Sequence, residues 1–142
     1  MQTAEEKFDK LLNDHREYNE GAYDFIYDAL DYTQKYIIRD KTKQANAKEF
    51  SEGFRLYAID KFGCLTKTVL NEWGIKTTDD IGNIVFNLVE YDLMGREEND
   101  KIENFKNLYN FDKVFNLKPK FSYNYKRKKW KVEYIEKSKL TK

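Results

Sequence analysis

Residues 77–94, TTDDIGNIVFNLVEYDLM, decide the fold. Thr77 and Asp80 have the spacing of a capping box, in which each side chain serves the backbone N–H of the other, so a helix begins there. Ile81, Ile84, Val85, Phe86, Leu88, Val89 and Leu93 then cover nearly its whole circumference, and only Asp80, Asn83, Asn87 and Glu90 leave a narrow polar stripe. A helix this apolar needs neighbours on most sides. The expectation is a mainly α protein, a compact domain of five to six helices packed around this central buried helix, which runs to about Met94.

Upstream, helical spacing continues. Thr3 and Glu6 open a helix that extends to about Tyr18, with Phe8, Leu11 and Leu12 inward. Gly21 is expected to separate it from a second helix over residues 22–38, in which Ala22, Ile26, Ala29, Thr33 and Ile37 share a face. Residues 39–45 read as a loop. Asn46 and Glu49 repeat the capping spacing before a helix that buries Phe50, Phe54, Tyr57 and Ala58 and stops near Gly63. Gly53 lies inside that helix at a cost of about 1 kcal/mol relative to alanine, which predicts close approach of another element. A short helix follows from Cys64 to Trp73 and ends at Gly74. Downstream of Gly95, Asp100 and Glu103 predict a short helix carrying Ile102, Phe105, Leu108 and Tyr109, and residues 111–115 add one more turn.

Beyond Pro119, the only proline, the period changes from helical to two. In KFSYNYKRKKWKVEYIEK, residues 120–137, Phe121, Tyr123 and Tyr125 alternate with polar residues, as do Trp130, Val132 and Tyr134, with a charged break at 126–129. That pattern predicts a C-terminal β-hairpin over 118–136, packed on the body or projecting from it, and a frayed end over 137–142. The turn lacks Asn-Gly chemistry, so its sequence does not fix the register. The helix pair 64–94 followed by this hairpin can also be read as a winged helix-turn-helix.

Charge divides at the same proline. The chain of 142 residues has 26 basic and 25 acidic side chains. Residues 118–142 hold ten basic against two acidic groups, a net of +8, whereas residues 1–117 hold 16 against 23, a net of −7. An acidic helical domain thus carries a basic, aromatic tail.

With the helices placed, residues 23–115 resemble a small bacterial family first described from Verrucomicrobia and Planctomycetes and uncharacterised in function. YDFIYDALDYTQ from Tyr23, EGFRLYAIDKFG from Glu52, and above all TVLNEWGIKTTDDIGNIVFNLVEYDLMG from Thr68 carry the likeness. It implies a single-domain helical protein of bacterial origin and supplies no activity, cofactor or catalytic residue. Gln44-Ala45-Asn46 stands where relatives tend to have His-Val-Ser, and Cys64 where they tend to have proline. The basic tail lies outside the matched stretch.

Several chemistries are set aside by composition. One cysteine excludes an internal disulfide, and one cysteine with one histidine excludes a Cys/His structural zinc site. The start, MQTAEEKF, lacks the regions of a secretory signal, and no stretch approaches the length of a membrane span, so a cytoplasmic protein without membrane contact is expected. No cofactor or metal is called for. Cys64 has no base and orienting group to make it a nucleophile, and His15 reads as solvated. The sequence therefore predicts no catalytic residue and no enzyme.

Two surfaces are candidates for binding. Glu17, Glu20, Asp24, Asp28 and Asp31 would align as one acidic ridge if a helix ran through Gly21, fitted to a basic protein or to a second copy of the chain. Lys120, Tyr123, Tyr125, Lys126, Arg127, Lys128, Lys129, Trp130 and Lys131 combine phosphate-binding cations with rings on which bases stack, which points to RNA or the ribosome. The competing expectation is that the ring face packs on the helical core. Sequence-specific DNA readout by the 78–94 helix is disfavoured, because Asp79, Asp80, Glu90, Asp92, Glu97 and Glu98 would face a polyanion and leave only Asn83 and Asn87 for bases.

Overall fold

A computed structural model of the chain describes residues 1–40, 42–95 and 101–140. Three helices open on the side-chain caps expected of them. In α1 (Ala4–Asp14) the Glu6 N–H donates to Thr3 Oγ1 at 3.1 Å, and in α3 (Ala47–Phe62) the Glu49 N–H donates to Asn46 Oδ1 at 2.8 Å. Between them lies α2 (Glu20–Tyr36). Short helix α4 (Thr66–Glu72) follows a 3₁₀ turn at Gly63–Leu65, and α5 (Thr78–Glu90) is the expected apolar helix, with Asp80 Oδ2 accepting from the Lys76 and Thr77 N–H groups at 2.8 and 3.1 Å.

The boundary between α1 and α2 differs from expectation. Helix α1 ends at Asp14 rather than near Tyr18, and Gly21 lies inside the first turn of α2 rather than between helices. The cause is long-range. Tyr18 turns into the core, its hydroxyl donating to Asp80 Oδ1 at 2.5 Å, and the Asn19 N–H donates to the Trp73 carbonyl at 3.2 Å. Asn19 then caps α2 through its own side chain, which accepts from the Gly21 N–H at 2.8 Å. The Trp73 indole fills the space that a Cβ at residue 21 would need.

Helix α2 binds the core together. Phe25 is the hub, with ring centroids 5.4 Å from Phe54, 5.2 Å from Tyr57, 5.3 Å from Phe62 and 5.4 Å from Trp73, so α2, α3 and the end of α4 share one aromatic cluster. Gly53 of α3 lies against the Thr33 side chain of α2, the close approach its position predicted.

Helix α5 packs on α2 and α3 with Ile81, Ile84 and Leu88 fully buried, and a 3₁₀ turn at Ile102–Phe105 covers it, tied by the Thr78 hydroxyl to the Phe105 carbonyl at 2.6 Å. Two residues of its polar stripe are also used inside the fold, Asn83 donating to the Tyr18 hydroxyl at 3.0 Å and Asn87 to the Tyr23 hydroxyl at 3.2 Å, whereas Glu90 at its end is exposed. The helix stops at Glu90, short of Met94.

The helix expected after Gly95 is only that 3₁₀ turn. Asp100, its expected cap, lies outside the described residues, as do Glu97 and Glu98. Lys106 is extended and Asn107 adopts a φ of 50°, its N–H held by Asp79 at 3.1 Å, which prevents continuation to Tyr109. The further turn is present as α6 (Phe111–Val114).

The chain closes with the hairpin, β1 (Leu117–Asn124) and β2 (Lys129–Glu136), and a 3₁₀ turn at Lys137–Lys139 where the sequence suggested fraying. Thr141 and Lys142 lie outside the described residues. The α4–α5 pair keeps its short connection, and the hairpin stands at the opposite end of α4, against the 63–65 turn.

Burial of tyrosines gives the fold an alkaline limit. Desolvation is the main cause that raises the hydroxyl pKa values of Tyr18, Tyr23 and Tyr109 above the ordinary value of about 10. The unfolded chain ionises these groups at about 10 while the folded chain keeps them neutral, so this stability is complete below that pH and is lost as pH rises beyond it. The urea midpoint followed by far-ultraviolet circular dichroism is expected to fall from about pH 10 upward; a midpoint constant to pH 11.5 or so would contradict the burial of these hydroxyls.

Candidate nucleic-acid interface

The hairpin has a docked root and an exposed outer half. At the root Leu117 is buried, the Tyr134 ring packs on Gly63, and the Lys137 N–H donates to the Asn116 carbonyl at 2.9 Å. Glu136 is also enclosed, its side chain only 10% exposed, with Arg55 Nη1 at 4.0 Å and Lys139 Nζ at 3.9 Å. Arg55 is itself anchored to Glu52, with Nε 3.1 Å from Oε2. The thiol of Cys64 donates to the Leu117 carbonyl at 3.6 Å, so this residue sits at the hairpin root.

Register sets the chemistry of the two faces. Tyr123 pairs with Trp130, Phe121 with Val132, and Pro119 with Tyr134. Directly opposed residues share a face, and successive residues alternate. Phe121, Tyr123, Trp130 and Val132 therefore form one face, and Lys118, Lys120, Lys129 and Lys131 stand on the other. The turn is Tyr125–Lys128, closed by the Arg127 N–H donating to Asn124 Oδ1 at 3.0 Å and by Lys128 at a φ of 55°. Lys129, read as part of the charged break, belongs to β2.

The ring face does not pack on the helical core. Phe121 is 66% exposed, Trp130 72% and Tyr125 83%. Tyr123 is half-buried among them, with centroids 4.9 Å from Tyr125 and 5.2 Å from Trp130 at steep interplanar angles of 74° and 68°. These edge-to-face contacts hold the outer rings while leaving them open to solvent. On the reverse face Lys131 lies 2.9 Å from Glu133, and this hydrogen-bonded ammonium is the main cause that holds the Glu133 carboxyl below its usual range. Lys118, Lys120, Lys126, Arg127, Lys128 and Lys129 form no ion pair among the described residues.

Of the nine hairpin residues singled out from the sequence, eight lie on its outer half or turn, and Lys120, paired with Glu133, stands in the half nearer the root. Phe121 was missed as a surface residue. Alternation had placed it on the face of Tyr123, but only the tertiary structure leaves that face uncovered.

The acidic ridge is shorter than the sequence suggested. Glu20, Asp24, Asp28 and Asp31 are exposed on α2, but Glu17 lies in the connection before the helix and pairs with His15 Nδ1 at 3.2 Å. Asp31 is held by Lys35 at 3.0 Å. His15 is not simply solvated, since its ring also stands edge-on to Tyr91 at 5.7 Å.

A cavity of about 530 Å³ lies between α2, α3 and α5, walled by Leu30, Phe50, Val85, Phe86, Val89 and Phe105. Polar side chains of the 42–46 loop also line it, and Gln34 of α2 fixes that loop, donating to the Lys43 carbonyl at 2.8 Å and accepting from the Ala45 N–H at 3.0 Å. Among the described residues no three His, Cys, Asp or Glu side chains converge as metal ligands, and no helix is long and apolar enough to cross a membrane. No family model matches the chain, and neither a curated protein nor a solved structure proved significantly similar to it.

Proposed function

We propose that this chain is a non-enzymatic binding module of the cytoplasm whose C-terminal hairpin contacts RNA, free or within the ribosome. The observation that carries this reading is the joint exposure of Phe121, Tyr125 and Trp130 on a ribbon that also presents six cations outside any ion pair of the described residues. Cations attract phosphate wherever they are placed, and rings exposed to water gain by covering a base. The acidic body repels a polyanion and so confines contact to the hairpin. Helix α5 is a poor competitor for this role, because Asn83 and Asn87 are used inside the fold.

The full chain, titrated at low salt into a labelled oligoribonucleotide, is expected to retard it in a mobility-shift assay. The logarithm of affinity is expected to fall linearly with the logarithm of salt, by about 0.7 for each phosphate contacted. Absence of a shift at low salt would remove the RNA reading.

A second reading has one observation in its favour. Glu20, Asp24 and Asp28 form no ion pair among the described residues and lie along one exposed helix face, complementary in charge to the hairpin of another copy. It requires a concentration-dependent dimer in sedimentation that weakens when Asp24, Asp28 and Asp31 are made neutral.

A further inference from the structure

We infer that the hairpin takes an unpaired stretch of RNA in preference to a duplex, with bases laid on the open faces of Trp130, Tyr125 and Phe121 and phosphates drawn to the turn. This inference rests on the RNA reading and narrows its substrate class. The ribbon is chemically two-sided, with rings on one face and lysines on the other. A duplex keeps its base faces stacked on each other, and so can meet only the cations. Binding in that mode would leave three large rings in water, at 66%, 72% and 83% exposure. A splayed single strand can cover them, and every base has a face to offer, so stacking confers little sequence preference.

The rings are arranged for this use. Tyr123, half-buried by its neighbours, supports Tyr125 and Trp130 through its edge contacts, so both outer rings are held before ligand arrives. Lys126, Arg127 and Lys128 follow Tyr125 directly in the turn. A strand crossing the ring face toward the tip therefore meets bases first and phosphate partners next. Both strands are edges of a two-stranded sheet, which lets the long stems of Lys120 and Lys129 reach around the ribbon to a backbone lying along it.

The test uses the full chain and one labelled oligoribonucleotide of mixed sequence, single-stranded or annealed to its complement, followed by anisotropy and by tryptophan emission. The single strand is expected to bind on the order of tenfold more tightly than the duplex and to quench Trp130, with Trp73 as a constant background. Trp130→Ala is expected to weaken single-strand binding on the order of tenfold and to leave duplex binding unchanged, while Trp130→Phe keeps most of the affinity. Equal or tighter duplex binding, with Trp130→Ala without effect, would overturn the inference and leave an RNA contact made through phosphates alone. Binding of neither form at low salt would overturn the RNA reading itself. Trp130 is exposed, so circular dichroism of Trp130→Ala should match the parent, and a loss of helix signal would exclude that variant in favour of Tyr125→Ala.

Discussion

Replacing Gly53 with valine is expected to destabilise the protein by about 3 kcal/mol or more, read as a shift in the urea midpoint. A Cβ at this position falls on the Thr33 side chain, which is fully buried and cannot swing to solvent. The Thr33 hydroxyl donates to the Ala29 carbonyl at 2.7 Å. Displacing it costs the overpacking penalty of about 1–3 kcal/mol and also a buried hydrogen bond, worth a similar amount when its donor is left unpaired. Alanine is the informative control. It gains about 1 kcal/mol in helix propensity over glycine while meeting the same obstruction, so Gly53→Ala is expected to lose less than valine but still to be destabilising. Combining Gly53→Ala with Thr33→Gly should recover part of the loss. A Gly53→Ala variant more stable than the parent would mean that α2 and α3 do not approach as closely as described.

The second large effect concerns the turn. Changing Lys126, Arg127 and Lys129 to serine and Lys128 to asparagine is expected to remove most RNA affinity while leaving the helix signal unchanged. Asparagine is chosen at residue 128 because its φ of 55° lies in the left-handed region, which asparagine tolerates better than serine. Four phosphate contacts at about 0.7 each make the salt slope shallower by nearly 3, equivalent at 0.1 M salt to a loss of several hundredfold in affinity relative to 1 M. An unchanged slope would show that phosphates are held elsewhere, and the acidic body offers few places for that.

What could be read from the sequence was local. Thr3 with Glu6, Asn46 with Glu49 and Thr77 with Asp80 each marked a helix start, because a cap is completed within four residues. The α1–α2 boundary could not be read this way. It is fixed by Tyr18 reaching Asp80 and Asn19 reaching Trp73, contacts across more than fifty residues of chain. His15 illustrates the same limit, since its partner Tyr91 comes from the far end of α5. On the hairpin, alternation identified the ring face and composition identified the cations. Whether the rings covered the core was a tertiary question, answered by a root at Leu117 and Tyr134 that leaves Phe121, Tyr125 and Trp130 exposed.

The four-residue turn at 125–128 acts as a phase setting for the whole ribbon. Because side chains alternate with a period of two, sliding β2 by one residue would bring Lys131 beside Tyr123 and send Trp130 to the reverse side. Each face would then mix rings from one strand with lysines from the other, and neither would be a continuous aromatic surface. The separation of stacking from charge therefore depends on one left-handed residue, Lys128, and one side-chain bond from Asn124. Loop length in this protein decides whether rings and lysines keep separate faces, and the insertion of a single turn residue would scramble the surface without altering any residue that forms it.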